Sequence, residues 1–197
     1  MKWGFNIAIR AFIAIELPEK LIALLGAVQA ELKAACGLTK GWTRPESIHL
    51  TIKFLGGVDE EKLPEIIAAL QGSASGLKPF TLTAGVIGGF PNLRAPRILW
   101  MGVPPAGIKD SPELKQLQQN IENRLNAIGI AKETRPFRAH LTFLRIQEPE
   151  NCRKAGIAVK NLKHEISMDF YVDSFVLFKS TLSPKGARHD IIERIQL

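Results

Sequence analysis

Two segments of the chain repeat the pattern R-P-x-x-x-H-L-T, and together they hold two of its four histidines. His49 is followed two residues later by Thr51, and His140 is followed in the same way by Thr142. In an extended strand, residues i and i+2 project from the same face of the sheet. Each segment therefore predicts an imidazole beside a hydroxyl on a rigid strand, with the intervening leucine directed into a core.

Two imidazoles and two hydroxyls in one cleft are suited to displacement at phosphorus. One histidine can take a proton from the attacking oxygen while the other gives a proton to the departing oxygen, because histidine titrates near neutral pH. The threonine hydroxyls can donate to the non-bridging oxygens as negative charge develops there. This chemistry requires no metal ion or other cofactor, and two histidines without a supporting carboxylate motif are poor evidence for zinc.

A single histidine on a strand is more often a structural residue than a catalyst, so the prediction depends on the matched pair. If the two halves of the chain face each other, both histidine–threonine units converge on one cleft. His164 and His189 lack the threonine at this spacing, and we predict that they lie on the surface.

The bulk properties are those of a basic globular protein of 197 residues. A net charge of +7 and a pI near 9.6 favour a polyanionic partner, with nucleic acid ahead of a membrane. Cys36 and Cys152 form no C-x-x-C pair, so we expect two buried thiols in a reducing cytosol. No stretch approaches the ~20 uninterrupted apolar residues of a membrane span, and Arg10 interrupts the apolar start. A cytoplasmic protein without a membrane partner is predicted.

Strand and helix patterns follow one another without a flexible linker. Helical spacing predicts helices at residues 18–35, 59–70 and 111–129, the second capped by Asp59 and the third beginning at Ser111. Strands are predicted at residues 11–15, 48–54, 80–88, 97–103, 140–146, 169–179 and 188–196, whereas residues 151–159 stay unassigned. Several strands in succession indicate an α+β fold with antiparallel sheets. We predict one compact domain over residues 1–197 with two similar lobes, in which residues 1–9 are an N-terminal extension that is an added strand, a tail or the product of a misassigned start.

Two basic residues near the motifs are candidate substrate-binding residues. Arg138 precedes His140 by two residues and could pair with phosphate from the same face. Lys53 continues the His49 face and could reach a flanking phosphate. In both cases a solvated surface side chain is the competing interpretation.

The segment at residues 90–100 mixes aromatic and basic residues, a composition that is typical of contacts with bases and backbone phosphates. Arg97 is therefore a candidate contact, while Trp100 is predicted to belong to the core. Phe137 is a candidate base-stacking residue just before the second motif. Arg44 and Arg135 precede prolines in the two repeats, and we expect structural or rim positions for them.

The two H-x-T motifs resemble the signature of the RNA 2′,3′-cyclic phosphodiesterase family, prokaryotic members of the 2H phosphoesterases that are also called 2′-5′ RNA ligases. Four segments are similar to that family: RAFIAIELP at residues 10–18, WTRPESIHLTIKFLGGV at residues 42–58, FPNLRAPRILWMGV at residues 90–103, and ETRPFRAHLTFLRI at residues 133–146. The resemblance extends from Arg10 nearly to the C-terminus. It implies two pseudo-symmetric lobes, each an antiparallel sheet with helices packed outside, around a central cleft that holds both motifs.

The resemblance also implies an activity, the hydrolysis of an RNA-terminal 2′,3′-cyclic phosphate to a 2′-phosphate. It implies that His49 is the general acid for the departing 3′ oxygen, that His140 is the general base for water, and that Thr51 and Thr142 bind the phosphate. Reversal of this chemistry, with a 5′-hydroxyl in place of water, would form a 2′-5′ linkage. The partners implied are RNA ends or nucleotides carrying a cyclic phosphate, and we predict that the protein is a monomer.

The chain departs from the family pattern at two places. Ala139 replaces a proline that often precedes the second histidine, and His189 and Asp190 stand where an aromatic residue is common near the last strand. Two alternatives stay open at this stage. The protein could bind RNA ends without turnover, or it could act on 2′-5′ oligonucleotides or small cyclic phosphates, because the motifs contact only phosphate.

Overall fold

The computed structural model describes residues 8–103, 111–162, 166–183 and 186–197. Within these ranges, the first half of the chain forms three strands and two helices, and the second half forms five strands and two helices. The elements are β1 (Ala8–Ile15), α1 (Glu19–Cys36), β2 (Leu50–Asp59), α2 (Leu63–Ala74), β3 (Phe80–Phe90), β4 (Ile98–Gly102), α3 (Pro112–Ala127), β5 (His140–Arg145), α4 (Pro149–Lys160), β6 (Ser167–Val172), β7 (Ser174–Ser183) and β8 (Gly186–Gln196).

All eight strands belong to one antiparallel sheet with the order β6-β3-β4-β5-β2-β1-β7-β8. Its two halves meet between β5 and β2, which are joined through the pair Leu50–Leu141. The succession β1-α1-β2-α2 in one half corresponds to β4-α3-β5-α4 in the other. The predicted α+β class with two similar lobes is therefore confirmed, and the two lobes share a continuous sheet.

The core lies between the sheet and the helices. Leu50 and Leu141 are completely buried, as predicted for the leucines between each histidine and threonine. The helices pack in two pairs, α1 with α4 and α2 with α3, so each pair joins the two lobes. Cys36 and Cys152 are buried free thiols, as expected. No helix in the described parts of the chain is both long and apolar enough to cross a bilayer.

Helix boundaries follow local chemistry. The hydroxyl of Ser111 accepts a hydrogen bond from the Leu114 N–H at 3.2 Å, so α3 begins with a side-chain cap as predicted. Gly129, with a φ of +85°, turns the chain after that helix. The predicted cap at Asp59 is wrong: β2 continues through Asp59, a short 3₁₀ turn follows, and α2 starts later at Leu63.

Three further boundaries differ from the sequence prediction. The unassigned residues 151–159 lie within α4. The single strand predicted at residues 169–179 is two strands, β6 and β7, separated at Asp173. Ala8 and Ile9, assigned to an extension, belong to β1 and pair with Asp59 and Val58, whereas residues 1–7 lie outside the described residues.

Candidate active site

Both H-x-T motifs line a single cavity of about 490 Å³ at the junction of the two lobes. The antiparallel pair Leu50–Leu141 sets their register, which places His49 opposite Thr142 and Thr51 opposite His140. Diagonal neighbours in such a ladder are about 7–8 Å apart. The backbones of His49 and His140 are therefore diagonal neighbours across the junction of the two lobes, and both side chains line the same cavity.

Both imidazoles are held in the same way by the backbone that precedes them. Nδ1 of His49 lies 2.9 Å from the Ser47 carbonyl oxygen, and Nδ1 of His140 lies 2.7 Å from the Arg138 carbonyl oxygen. A carbonyl oxygen can only accept a hydrogen bond, so in each ring Nδ1 carries the hydrogen. The neutral rings then present a bare Nε2, which can accept a proton and later return it.

The environment disfavours a positive charge on either ring. The pKa of His49 is lowered to about 4, chiefly by burial, with contributions from the charges of His189 and Arg145 and against the opposing effect of the hydrogen bond to the Ser47 carbonyl. Burial also lowers the pKa of His140, and Arg145 adds to that effect. Both rings are therefore neutral near pH 7 in the ligand-free protein, and a bound anion would favour their protonation.

Aromatic rings surround the two histidines differently. The His49 ring stacks on Phe12 with a centroid distance of 4.7 Å and an interplanar angle of 29°. The His140 ring meets Phe90 edge-on at 5.3 Å and Trp100 at 6.2 Å. These contacts restrict the orientation of both rings. Trp100, predicted for the core, is half-buried beside His140.

A bulge in β2 reverses the predicted orientation of Lys53. Ile13 pairs with Lys53 and Ala14 pairs with Thr51, so Ile52 has no partner in β1 and the alternation of faces is broken there. Lys53 is only 5% exposed and points into the protein. Its Nζ donates to Oε2 of Glu122 at 2.7 Å and to the Ala131 carbonyl at 2.9 Å. The prediction that Lys53 extends the His49 face is therefore wrong.

A matching bulge in β5 brings Arg145 into the cavity. Leu99 pairs with Leu144 and Trp100 pairs with Thr142, so Phe143 has no partner in β4. Phe143 and Leu144 are both buried, and the next residue, Arg145, lines the cavity with the motifs. Its positive charge contributes to the lowered pKa of both His49 and His140. Strict alternation from His140 did not predict this position.

Gln29 links the two motif segments through hydrogen bonds from its side chain to their backbones. The side chain is 1% exposed, and its Nε2 donates to the Thr43 carbonyl at 2.7 Å and to the Phe143 carbonyl at 3.0 Å. Thr43 precedes the first motif, and Phe143 is the bulged residue of the second. One amide group thereby satisfies a bulge carbonyl and fixes the first motif's approach relative to β5.

Cationic side chains dominate the polar lining of the cavity. Arg10, Arg44 and Arg145 line it together with three histidines, and its described lining includes no aspartate or glutamate. Nε of Arg44 lies 3.8 Å from Oε1 of Glu46, and both side chains are exposed. Arg44 therefore has the rim position expected for it. A cleft of this charge attracts anionic ligands and stabilises phosphate oxygens.

His189 is not the surface residue predicted from the sequence. It is half-buried, lines the cavity, and meets the rings of His49 and Phe12 edge-on at 5.2 Å and 4.9 Å. Burial lowers its pKa, Asp190 opposes this effect, and the nearby Arg44 adds to it. In the sheet, β8 pairs with β7 and β7 pairs with β1, and this strand order brings His189 of β8 to the cavity. No local sequence pattern predicts that contact. His164 lies outside the described residues.

The remaining sequence candidates are not part of the cavity lining. Arg138 is exposed, and it is its carbonyl that orients His140. Phe137 packs against the core. Arg97 is exposed, and its backbone groups bond to Phe90 and Ile146. Arg135 is also exposed. Across the described ranges, no three histidine, cysteine or carboxylate side chains cluster closely enough to hold a metal ion.

Comparison with known proteins agrees with this geometry. The sequence matches the LigT-like phosphoesterase family over residues 15–100 and 106–189. It is 31% identical over 186 residues to the RNA 2′,3′-cyclic phosphodiesterase of Methanocaldococcus jannaschii, covering 93% of this chain and 98% of the relative. The chain belongs to the LigT-like phosphoesterase family, and the family predicted from the two motifs is confirmed.

Solved structures share the fold over nearly the whole length. TT0787 of Thermus thermophilus has a TM-score of 0.73 and 26% identity, covering 95% of this chain and 97% of the other. Escherichia coli LigT complexed with 3′-AMP has a TM-score of 0.72 and 25% identity, covering 96% and 98%. The two-lobed arrangement with helices outside the sheet is therefore the family's arrangement.

Proposed function

We propose that this protein hydrolyses the 2′,3′-cyclic phosphate at an RNA end, without a metal ion, to a 2′-phosphomonoester. The observation that supports this most strongly is the single cavity lined by two histidine–threonine pairs, each imidazole with its Nδ1 bound to a carbonyl. The M. jannaschii relative carries the name of this activity, and E. coli LigT has been crystallised with a nucleotide, 3′-AMP. The cationic lining suits an anionic substrate.

In the proposed reaction, water attacks phosphorus while Nε2 of His140 takes a proton from it. The bond between phosphorus and the 3′ oxygen breaks, and Nε2 of His49 gives a proton to that oxygen. The phosphate stays on the 2′ oxygen, and a free 3′-hydroxyl is formed. Thr51, Thr142 and Arg145 donate to the non-bridging oxygens, on which negative charge increases in the transition state. A 5′-hydroxyl in the place of water would open the cyclic phosphate in the same way, with the bond to the 3′ oxygen broken, and would form a 2′-5′ linkage.

This assignment requires His49 to hold a proton although its pKa in the free protein is about 4. Bound substrate raises the pKa of His49, because an anionic phosphate beside the ring favours the imidazolium. The Ser47 carbonyl acts in the same direction, since it accepts a hydrogen bond from the charged ring. In the ligand-free protein, only the small fraction with a proton on His49 and none on His140 can catalyse the reaction. The rate therefore depends on pH.

The purified protein, treated with EDTA, should convert adenosine 2′,3′-cyclic phosphate to a single product. Phosphorus NMR identifies the position of the phosphate, and we expect adenosine 2′-phosphate. Binding without turnover would instead assign the protein to the non-catalytic RNA-end binders. A 3′-phosphate product would contradict the proposed breaking of the bond to the 3′ oxygen.

A further inference from the structure

Two buried polar side chains occupy corresponding positions in the two lobes. Gln29 lies ten residues after the first residue of α1, and Glu122 lies ten residues after the first residue of α3. They are 1% and 7% exposed, respectively. The helices α1 and α3 also take the same place in the succession of elements of each lobe. The two side chains are therefore related by the pseudo-symmetry of the fold.

Gln29 bonds to both lobes at once. Its hydrogen bonds to the Thr43 and Phe143 carbonyls join the residues that lead into the first motif to the bulge in β5 of the second lobe. The backbone supports this link, because the Thr43 N–H donates to the same Phe143 carbonyl at 3.0 Å. Side chain and backbone together fix the approach to the first motif against β5.

Glu122 makes the reciprocal link. Its Oε2 accepts a hydrogen bond from the Glu133 N–H at 3.2 Å, in the residues that lead into the second motif. The same oxygen accepts from Nζ of Lys53 at 2.7 Å, and Lys53 directly follows the bulged residue of β2 in the first lobe. Nζ of Lys53 also donates to the Ala131 carbonyl at 2.9 Å. One ion pair thereby joins the strand of the first motif to the approach to the second motif.

The backbone adds little to the junction of the lobes on the Glu122 side. In the described chain, β2 and β5 pair only at Leu50–Leu141. No backbone hydrogen bond joins residues 131–135, all of them described, to β2. The pair of Lys53 and Glu122 therefore supplies the polar link there, whereas the link through Gln29 has a backbone bond beside it.

Stability alone does not account for this ion pair. A buried ion pair is often no more stabilising than apolar side chains of similar volume. Oε1 of Glu122 is buried and has no hydrogen-bond partner among the described residues, which makes the carboxylate costlier to bury. The position in β5 that corresponds to Lys53 holds the apolar Leu144. What the ion pair adds to apolar contact is direction, because its hydrogen bonds fix two backbone segments relative to each other.

We propose that the Lys53–Glu122 pair and Gln29 are two cross-lobe braces, which position His49 and His140 relative to each other for reaction at one phosphorus atom. This proposal rests on the proposed function and assigns positioning residues to it. General acid–base catalysis needs both imidazoles within hydrogen-bond reach of the reacting oxygens, so a small displacement of one lobe against the other slows the chemical step. Binding of the phosphate changes less, because the donors of each lobe still contact it.

The first test is the double variant Lys53→Leu/Glu122→Leu, which leaves no unpaired charge in the interior and should stay folded. We expect kcat for adenosine 2′,3′-cyclic phosphate to fall about 10- to 100-fold, with KM changed less than about threefold. Lys53→Met/Glu122→Gln should show the same loss. In that variant the glutamine oxygen can still accept from the Glu133 N–H, and only the bond to β2 is removed.

Two further variants separate positioning from stability. Gln29→Met should reduce kcat less than the Lys53 and Glu122 variants do, since the backbone bond between Thr43 and Phe143 remains. Leu70→Ala on α2 is the control, because it removes a completely buried side chain that belongs to neither brace. It should lower the free energy of unfolding and leave kcat unchanged under conditions in which the variant is folded.

The most specific readout is Lys53→Leu/Glu122→Leu in a His140→Ala background. No further fall in kcat is expected there, because the second imidazole that the brace positions is absent. Unchanged kcat in both Lys53/Glu122 variants, an equal loss in Leu70→Ala, or a loss that multiplies with that of His140→Ala would each overturn the braces while the wild type is active. A wild type that does not hydrolyse adenosine 2′,3′-cyclic phosphate would refute the proposed function, and the positioning role with it.

Discussion

The two motif strands are nearly identical in construction and different in surroundings. At the start of β2 and of β5 alike, a histidine bonds to the carbonyl two residues before it, a threonine follows, and a bulge comes next. Five residues after the histidine, each strand returns a side chain to the cavity. That residue is Phe54 in the first lobe and Arg145 in the second.

This difference shows how a symmetric frame can serve an asymmetric substrate. A phosphate between two imidazoles needs similar donors from both sides, and the two lobes supply them equally. The first lobe offers a phenyl ring and the second a guanidinium at the corresponding position, so the two strands share the histidine and the threonine and differ in the side chain that follows the bulge.

The two lobes should differ most in how the buried side chain beside each bulge contributes to the free energy of unfolding. Lys53 in β2 corresponds by position to Leu144 in β5, and Lys53 forms a buried ion pair with Glu122. Lys53→Leu leaves Glu122 without its counter-charge and should lower the free energy of unfolding by about 3–5 kcal/mol. The double variant Lys53→Leu/Glu122→Leu should recover most of it, because it leaves no unpaired charge in the protein interior. Urea unfolding measures both, and a mild effect of the single variant would contradict this interpretation.

Arg145→Gln should reduce kcat/KM by about 10- to 100-fold, since it removes a charge-assisted contact to the phosphate of roughly 1.5–3 kcal/mol. Arg145→Lys should retain part of the activity because it keeps the charge but loses the planar fork. The control Arg153→Gln changes the same charge far from the cavity lining. Equal losses in Arg145→Gln and Arg153→Gln would show that only net charge matters.

Acid should destabilise the protein through its buried imidazoles. The folded-state pKa of His49 is about 4 and its ordinary value is 6.5, so between these pH values the unfolded chain binds more protons and stability falls as pH is lowered. The loss attributable to His49 is about 3 kcal/mol across that window. Denaturant melts at pH 7 and pH 4.5 should therefore differ less in His49→Gln than in wild type. An identical difference in both proteins would contradict the burial effect.

The pH profile of kcat/KM should be a bell whose maximum lies below pH 6.5. One imidazole must carry a proton and the other must not, and the pKa values of both are lowered in the free protein. A flat profile between about pH 5 and 9 under conditions in which chemistry limits the rate would contradict the division of roles.

The smallest expected effect comes from His189. Its charge lowers the pKa of His49, so His189→Gln should raise that pKa and move the acidic limb of the bell to higher pH. If His49 is the acid, the maximum of kcat/KM also rises, because more of the singly protonated protein carries its proton on His49. If the acidic limb moves in the same way but the maximum of kcat/KM falls, the assignment is reversed: His140 is the acid and His49 is the base.

The sequence predicted the site where the strands are regular. His49, Thr51, His140 and Thr142 obey the two-residue period and reach one cavity, as the repeated pattern indicated. Strict alternation fails at a bulge, where one extra residue turns every later side chain to the other face. For that reason Lys53 was assigned to the cavity and Arg145 was not.

Contacts between distant strands were beyond the reach of local patterns. His189 reaches His49 because β7 and β8 fold back beside β1, and sheet order cannot be deduced from period or composition. The consecutive apolar residues Phe143 and Leu144 break the strict alternation and were the sequence feature that could have indicated the second bulge. The α+β class was easier to predict, since it depends on the succession of elements.

The central claim is that His49 and His140 act as a unit on one phosphorus atom. The most direct test is kcat/KM for adenosine 2′,3′-cyclic phosphate in His49→Ala, His140→Ala and the double variant. We expect each single variant to lose about 10²- to 10⁴-fold and the double variant to lose little more, because groups that act together are strongly non-additive. Losses that multiply in the double variant, or a single variant that keeps most of its activity, would contradict the account.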